Sequence, residues 1–296
     1  MSRRVPHFEV AKCRKPVRLR HGDAVPWFAA RHELCLISGC DRPPPTVILL
    51  AVAETQFDEW VAQHYQILWP ELFDPELVTA TVDFLAGLAR AGPVLELGVG
   101  TGRIAAPLSR HGLRVVGVEL SPAMARELQR QHPGADVKVM IGDFATVEPG
   151  GTFWLAYLLR NTITNLTTQE EQVQTFRNVA AHLPVGGLFV IENYVPELQR
   201  LPPGETTHVF TATPDHVGFE VYDVAAQIAV SHHLWVIGGE LTRFVSPHRY
   251  VWPSELDLMA RLAGLSLRER YSGWDRAPFR GDSRSHVSVW EKLPDR

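Results

Sequence analysis

Cysteine is nearly absent from this chain of 296 residues. Cys13, Cys35 and Cys40 are its three cysteines, so the body that follows cannot rest on a disulfide framework, and a reducing compartment fits. They do not suggest a metal centre either, because His32-x2-Cys35-x4-Cys40 matches no common ligand spacing; no metal is expected. Long apolar runs are missing as well. Val47 to Ala53 is the longest candidate, far below the roughly 20 residues a membrane helix needs, so no membrane association is expected. Excess positive charge is lacking: the net charge is −4, and lysine occurs only as Lys12, Lys15, Lys138 and Lys292. Residues 1–55 hold 9 of the 29 Lys+Arg and 5 of the 33 Asp+Glu, which leaves 20 against 28 in the rest. An acidic body speaks against general nucleic-acid binding, which needs many cationic contacts. Ser2-Arg3-Arg4 opens like a twin-arginine export signal, but Pro6, Glu9 and basic residues through Arg20 stand where that signal has its apolar segment. A cytoplasmic protein is expected.

What is present starts at Val94. Val94-Leu95-Glu96-Leu97 reads as a buried strand, and Gly98-Val99-Gly100-Thr101-Gly102 leads into a helix expected near Thr101. Glycines 98, 100 and 102 let the backbone turn sharply and come close to a ligand, while a helix start offers free N–H groups and its positive dipole end. The spacing is E-x-G-x-G-x-G and not the dinucleotide pattern G-x-G-x-x-G, and a carboxylate at Glu96 repels pyrophosphate and suits an ammonium group. The ligand that joins adenosine to an α-amino acid and carries no phosphate is S-adenosylmethionine. At these residues the sequence resembles the class I S-adenosylmethionine-dependent methyltransferase family, well over residues 57–195 and loosely beyond.

Further residues carry the resemblance. Leu113 to Glu119 is a β-branched strand closed by an acid, with Leu120-Ser121-Pro122 at the next helix start. A strand from Asp136 to Ile141 precedes Gly142-Asp143-Phe144, and a strand from Thr152 to Leu158 precedes Asn161-Thr162-Ile163-Thr164-Asn165-Leu166. The resemblance implies that Glu119 takes both ribose hydroxyls, that Asp143 accepts from the adenine amino group and that the Phe144 backbone reads the adjacent ring nitrogen. It also puts Glu96, Gly98, Gly100, Gly102, Leu120 and Asn161 on the cofactor, with Tyr65, in the helical stretch Phe57 to Pro70, closing over the methionine end. Taken singly, each glycine is equally a turn residue, Glu119 a solvated acid and Tyr65 an aromatic on a buried helical stripe. The implied fold is α/β, a Rossmann-like doubly wound seven-stranded mostly parallel sheet with an antiparallel β insertion over the active site.

The chain divides accordingly. Residues 1–55 form an extension with little periodicity, and the functional protein is expected to start near Gln56; residues 56–195 form the cofactor core with its helical lid, 196–252 the insertion, and 253–296 the end of the core. Within the insertion, strands are expected at Thr207 to Thr213, Val217 to Val224, Ala226 to Ile237 and Glu240 to Trp252, the last pair joined by the hairpin signal Gly238-Gly239. A two-residue turn there sets Trp235 opposite Thr242 and His233 opposite Phe244. Alternation then sends Gln227, Ala229, Ser231, His233 and Trp235 to one face, mixed as a substrate wall would be, and Ile228, Val230, His232, Leu234 and Val236 to the other. His232 among aliphatics suits a core histidine, so His233 is the first candidate for a base, followed by Asp223, Glu192 and Tyr222. Glu192-Asn193-Tyr194 should face the methyl donor, and Arg276, Arg280 and Arg284 are candidates for an anionic group or a solvated loop. An inserted sheet of this kind resembles that of N-methyltransferases of nucleotide-linked deoxyaminosugars, where it also supports dimers.

These readings point to methyl transfer to an amine or hydroxyl of a small metabolite. The element N-P-P-[YF] is missing where Asn161-Thr162-Ile163-Thr164 stands, cysteine-based transfer has no cysteine in the body, and Asn161, Asn165 and Asn193 lack the acids of a metal-dependent site. Alternatives are a methyltransferase acting on tRNA or protein, a non-catalytic S-adenosylmethionine-binding protein, and a nucleotide-dependent oxidoreductase.

Overall fold

A computed structural model describes residues 56–90 and 92–294; the expectations for residues 1–55 lie outside them. Helix α1 (Glu59–Leu68) starts where Asp58 accepts the Val61 N–H at 2.9 Å, and α2 (Pro75–Ala89) combines an Asp74 cap with proline in its first turn. The core then alternates strand and helix: β1 (Val94–Leu97), α3 (Ala105–Arg110), β2 (Val115–Glu119), α4 (Pro122–Gln131), β3 (Val137–Ile141), β4 (Leu155–Leu158), α5 (Gln169–His182) and β5 (Leu188–Tyr194). Four strands follow, β6 (Thr207–Ala212), β7 (His216–Asp223), β8 (Ile228–Ile237) and β9 (Glu240–Arg249), before α6 (Pro253–Leu262), β10 (Leu265–Tyr271) and β11 (Ser285–Lys292). Among the described residues no helix is long and apolar enough to cross a membrane.

The seven-stranded sheet has the order β10-β11-β5-β4-β1-β2-β3, with β11 alone running against the other strands. Alternate residues feed two cores. Leu95, Leu97, Leu158, Phe189 and Ile191 meet Phe176 of α5 and Met259 of α6 on one face; Val94, Val115, Leu155 and Val190 meet Leu85 of α2 and Leu108 of α3 on the other. The chain runs outward from β1 to β3 and returns to β4, so strand order reverses between β1 and β4, and a ligand crevice opens at the carboxyl ends there. Helix α3 begins at Ala105 and not near Thr101, because Gly102 is still left-handed at φ 80°. Its few turns therefore contribute less to the loop than a helix opening at Thr101 would.

The inserted strands make a separate antiparallel sheet, β6-β7-β8-β9. Gly238 and Gly239, at φ 61° and 82°, form the hairpin turn between β8 and β9, and Trp235 pairs with Thr242 and His233 with Phe244. Ser231 and His233 of the mixed face line the cavity, but the aliphatic face departs from expectation. The aliphatic side of β8 looks to solvent, with Val236 exposed beside Leu241 and Val245, and His232 stacks on Phe219 at 4.7 Å there instead of entering a core. Ala229, Ser231 and Trp235 are buried on the opposite face, Trp235 against Val61 and Leu68 of α1. A clasp ties this cap down: Arg249, 5% exposed, donates to Gln172 at 2.5 Å, Gln227 at 3.1 Å and Glu255 at 2.6 Å, and Gln172 returns a bond to the Arg249 carbonyl at 3.2 Å.

Candidate active site

Along the carboxyl ends of β1, β2 and β3 runs a ledge built from the glycine loop, Glu119 and Asp143. Gly98, at φ 67°, lies against the turn after β4, and a Cβ there would meet Thr162 Cγ2 at 2.9 Å. Gly102 lets α4 close in, since a Cβ would stand 2.6 Å from Leu128 Cγ. The loop is thus close-packed from behind, while Gly98 and Gly100 stay partly exposed.

Glu119 closes β2, 7% exposed. Gly100 N–H donates to its Oε2 and Ser121 N–H to its Oε1, each at 2.8 Å. Burial raises its pKa, partly offset by these N–H groups. Both oxygens are oriented from one side with lone pairs left over, as a bidentate acceptor needs. Leu120 beside it is 38% exposed, an apolar surface at the ledge. Asp143 spends Oδ1 on the Ala145 N–H at 2.8 Å, and the Phe144 side chain belongs to the core while its carbonyl accepts from Asn178.

Glu96 differs from its expected role. It is 5% exposed, pairs in register with Tyr157 of β4, and accepts from the Tyr157 hydroxyl at 2.8 Å. Burial pushes its pKa up to about 8, against the lowering effect of Tyr157 and Arg103. At neutral pH it is therefore mostly uncharged, and it lies beneath the loop instead of presenting a fixed charge to an ammonium group.

Beneath the cap, walled also by Tyr65 and Trp69 of the lid and by the turn Arg160 to Asn165 after β4, lies a cavity of about 540 Å³. Tyr65, Asn161 and His233, far apart in sequence, all line it. Tyr65 sits among Phe57, Trp69 and Phe73, with ring centroids 6.2, 5.0 and 6.1 Å away, and burial raises its pKa, so the phenol stays protonated. Asn161 follows Arg160 in the left-handed region, at φ 58° and 51°, and its Oδ1 accepts the Tyr194 N–H at 2.8 Å. Two consecutive non-glycine residues in that region mark a strained turn of the kind found at functional sites. It is held by the Thr164 N–H and hydroxyl, both bonded to the Asn161 carbonyl.

The cap wall uses every second residue. His233 Nδ1 shares a hydrogen bond of 2.9 Å with His216 Nε2, and its ring stacks on Trp235 at 4.6 Å. With Nδ1 engaged, Nε2 is left for the cavity. Burial, then the neighbouring His216, lowers its pKa to about 4, so it is neutral at pH 7 and able to accept a proton. Trp69 closes the aromatic contact between lid and cap, 5.6 Å from Trp235 and 5.9 Å from Phe244.

Other expected residues lie elsewhere. Asp223 is exposed and accepts the Ala226 N–H at 3.0 Å; on β7 the even residues Glu220 and Tyr222 face the cavity, so odd Asp223 turns away and caps the β7–β8 turn. Glu192 is committed to the Arg160 N–H and Trp274 Nε1, both at 2.9 Å, and Asn193 is buried in the core, so of Glu192-Asn193-Tyr194 only Tyr194 lines the cavity. Tyr222 donates to Glu220, and burial and that carboxylate raise its pKa, which makes it a donor and not a base. Arg284 reaches the cavity rim, while Arg276 stacks over Phe84 at 5.0 Å. Trp69, Glu220 and His248 also line the cavity, although the sequence did not single them out. Strand parity could have flagged the last two; for Trp69 the signal was the aromatic spacing with Tyr65.

A methyltransferase domain family matches residues 94–187. A cypemycin N-terminal methyltransferase of a Streptomyces species is 30% identical over 202 residues, 67% of this chain and 82% of that protein. The structure of the CcbJ methyltransferase from Streptomyces caelestis superposes with a TM-score of 0.73 at 36% identity, covering 81% of this chain and 99% of that one. CalS10, an amino pentose methyltransferase from Micromonospora echinaspora, shares the fold at 20% identity and a TM-score of 0.58, over 77% of this chain and 96% of its own. With the ledge, the strand order and these relatives in agreement, the chain belongs to the class I S-adenosylmethionine-dependent methyltransferase family.

Proposed function

We propose that this enzyme methylates an amine or hydroxyl of a small metabolite, held in the cavity beneath the inserted cap. S-adenosylmethionine is its cofactor and supplies, when bound, an electrophilic methyl group. The ledge fits it: a partly exposed backbone at Gly98 and Gly100, a two-oxygen acceptor at Glu119, an apolar flank at Leu120 and the remaining oxygen of Asp143. In this reading Glu119 takes the ribose, Asp143 and Phe144 the adenine, and Tyr65 and Asn161 border the methionine end.

The observation that carries the proposal is the cavity of about 540 Å³ shared by Tyr65, Asn161 and the cap strands. It suits a metabolite and is small for a folded macromolecule. The chain's own work is positional: lid and cap exclude water, aromatic walls restrict the acceptor, and His233 Nε2 accepts a proton, with His216 behind it toward solvent. The relatives' names speak of an N terminus and an amino pentose, which supports an amine over a hydroxyl. The acidic body supports a protein without a nucleic-acid partner in the cytoplasm. The apolar outer face of the cap, with Val217, Val221, Val236 and Leu241 exposed, supports a homodimer through that face.

The test is transfer of labelled methyl from S-adenosylmethionine into the small-molecule fraction of a cell extract, with mass analysis of the product. Label confined to tRNA or protein would overturn the small-metabolite reading.

A further inference from the structure

Glu220 is a carboxylate on the cavity wall whose charge nothing on the wall balances. It is half-buried on β7 and paired in register with Ser231. The Ser231 hydroxyl donates to Oε1 at 3.0 Å, and the Tyr222 hydroxyl donates to Oε2. A carboxylate accepts about four hydrogen bonds, so roughly two acceptor sites remain. Among the described residues no arginine, lysine or histidine comes within ion-pair distance of it. The other acid on the wall, Glu197, is matched by Arg200 at 3.1 Å and Arg284 at 3.4 Å.

The neighbours of Glu220 do not supply the missing charge. Tyr222 is held protonated, and Ser231 and Ser246 are neutral. His233, its diagonal neighbour across the β7–β8 pair, is neutral at pH 7. Withdrawing a carboxylate from water without a cation is costly, and two neutral donors repay that only in part. A positively charged group brought by the ligand would complete the site.

We propose that Glu220 is the counter-ion of a protonated amine on the methyl acceptor, so that the cap selects amines over hydroxyls. The inference rests on the reading of this cavity as the acceptor site and narrows it to one substrate class. Polar serines and a neutral imidazole would serve either acceptor; only the unpaired carboxylate discriminates, because a hydroxyl gains little from an anion while an ammonium gains a charge-assisted bond.

The full chain, saturated with S-adenosylhomocysteine, is titrated with matched pairs that differ only in amine for hydroxyl: glucosamine and glucose, a dipeptide amide and its hydroxy-acid analogue, benzylamine and benzyl alcohol. Ligand-observed NMR gives relative affinities, and calorimetry gives the affinity for S-adenosylhomocysteine. The wild type is expected to prefer the amine in at least one pair by about tenfold or more, and Glu220→Gln to reduce that preference to about twofold or less with cofactor affinity unchanged. Glu220→Asp, which keeps the charge, should restore part of the preference. Absence of an amine preference in every pair, or one that survives Glu220→Gln, overturns the proposal. Failure of the wild type to bind S-adenosylhomocysteine at all would strike the methyltransferase reading itself, and this one with it.

Discussion

The ledge and the cap are made by different means. On the ledge, contacts come from backbone and strand ends: Gly100 and Ser121 N–H groups set Glu119, and glycines keep the loop thin. On the cap, contacts come from side chains at alternate positions of three strands, as where Ser231 meets Glu220 and His216 meets His233. A wall made of backbone tolerates little change in residue type and suits one ligand; a wall made of side chains can change its ligand without changing its fold. The family's shared cofactor and varied acceptors follow from that division.

The division predicts that cap and core fail separately, and the Arg249 clasp is the place to test it. Arg249→Met leaves the partly buried Glu255 without its cation and the buried Gln172 without its donor, a loss of about 3 kcal/mol, the low end for a broken buried pair. Calorimetric unfolding should show an early transition of the cap, with S-adenosylmethionine binding kept at low temperature. An unchanged melting profile would show that the clasp does not join the two regions.

Acid should probe both regions at once, through one histidine in each. His248 in the cap has its pKa lowered to about 4 by burial, and His286 in the core to about 3. The unfolded value lies near 6.5, so below it the unfolded chain binds more protons and stability falls with pH, toward pH 4 for the cap and pH 3 for the core. Above pH 6.5 the contribution is complete. Each site contributes on the order of a few kcal/mol at most. Thermal melts of His248→Gln should depend less on pH between 6.5 and 4 than those of the wild type, and equal slopes would contradict the assignment.

The ledge has its own test. Glu119→Ala removes both acceptor oxygens and should weaken S-adenosylmethionine binding about a hundredfold, roughly 2.7 kcal/mol, whereas cap variants should leave that affinity alone. Calorimetry giving wild-type affinity would remove Glu119 from the cofactor site.

What could be read in the sequence follows the same line. The glycine loop, Glu119 and the Gly238-Gly239 hairpin depend on neighbours a few positions away, so the ledge and the His233–Phe244 pairing were legible. Contacts decided across the sheet were not. Glu96 reads as a free carboxylate until β4 brings Tyr157 opposite it, 61 positions later. Asp223 reads as a cavity acid until the β7 parity, with a register shift between Val209 and Thr211 on its neighbour β6, gives that place to Glu220. The aliphatic face of β8, where His232 reads as a core histidine, meets solvent instead, because the mixed face is the one turned to the cavity.

The smallest effect belongs to the histidine pair, and it separates chemistry from packing within the cap. If His233 Nε2 takes a proton while Nδ1 faces His216 Nε2 at 2.9 Å, the proton can pass along that bond to His216, which lies nearer the outside, and His233 returns to its neutral state. His233→Gln should slow turnover about tenfold. His216→Gln should slow it only about threefold, since water can replace a relay more easily than a base. Neither should alter cofactor affinity. A structural role would lower the melting temperature and leave the pH profile of kcat in place; a relay shifts that profile, and added imidazole restores part of the rate in His216→Gly. A His216 variant with an unchanged profile would reduce the pair to packing against Trp235, and the cap would then act through shape and through Glu220 alone.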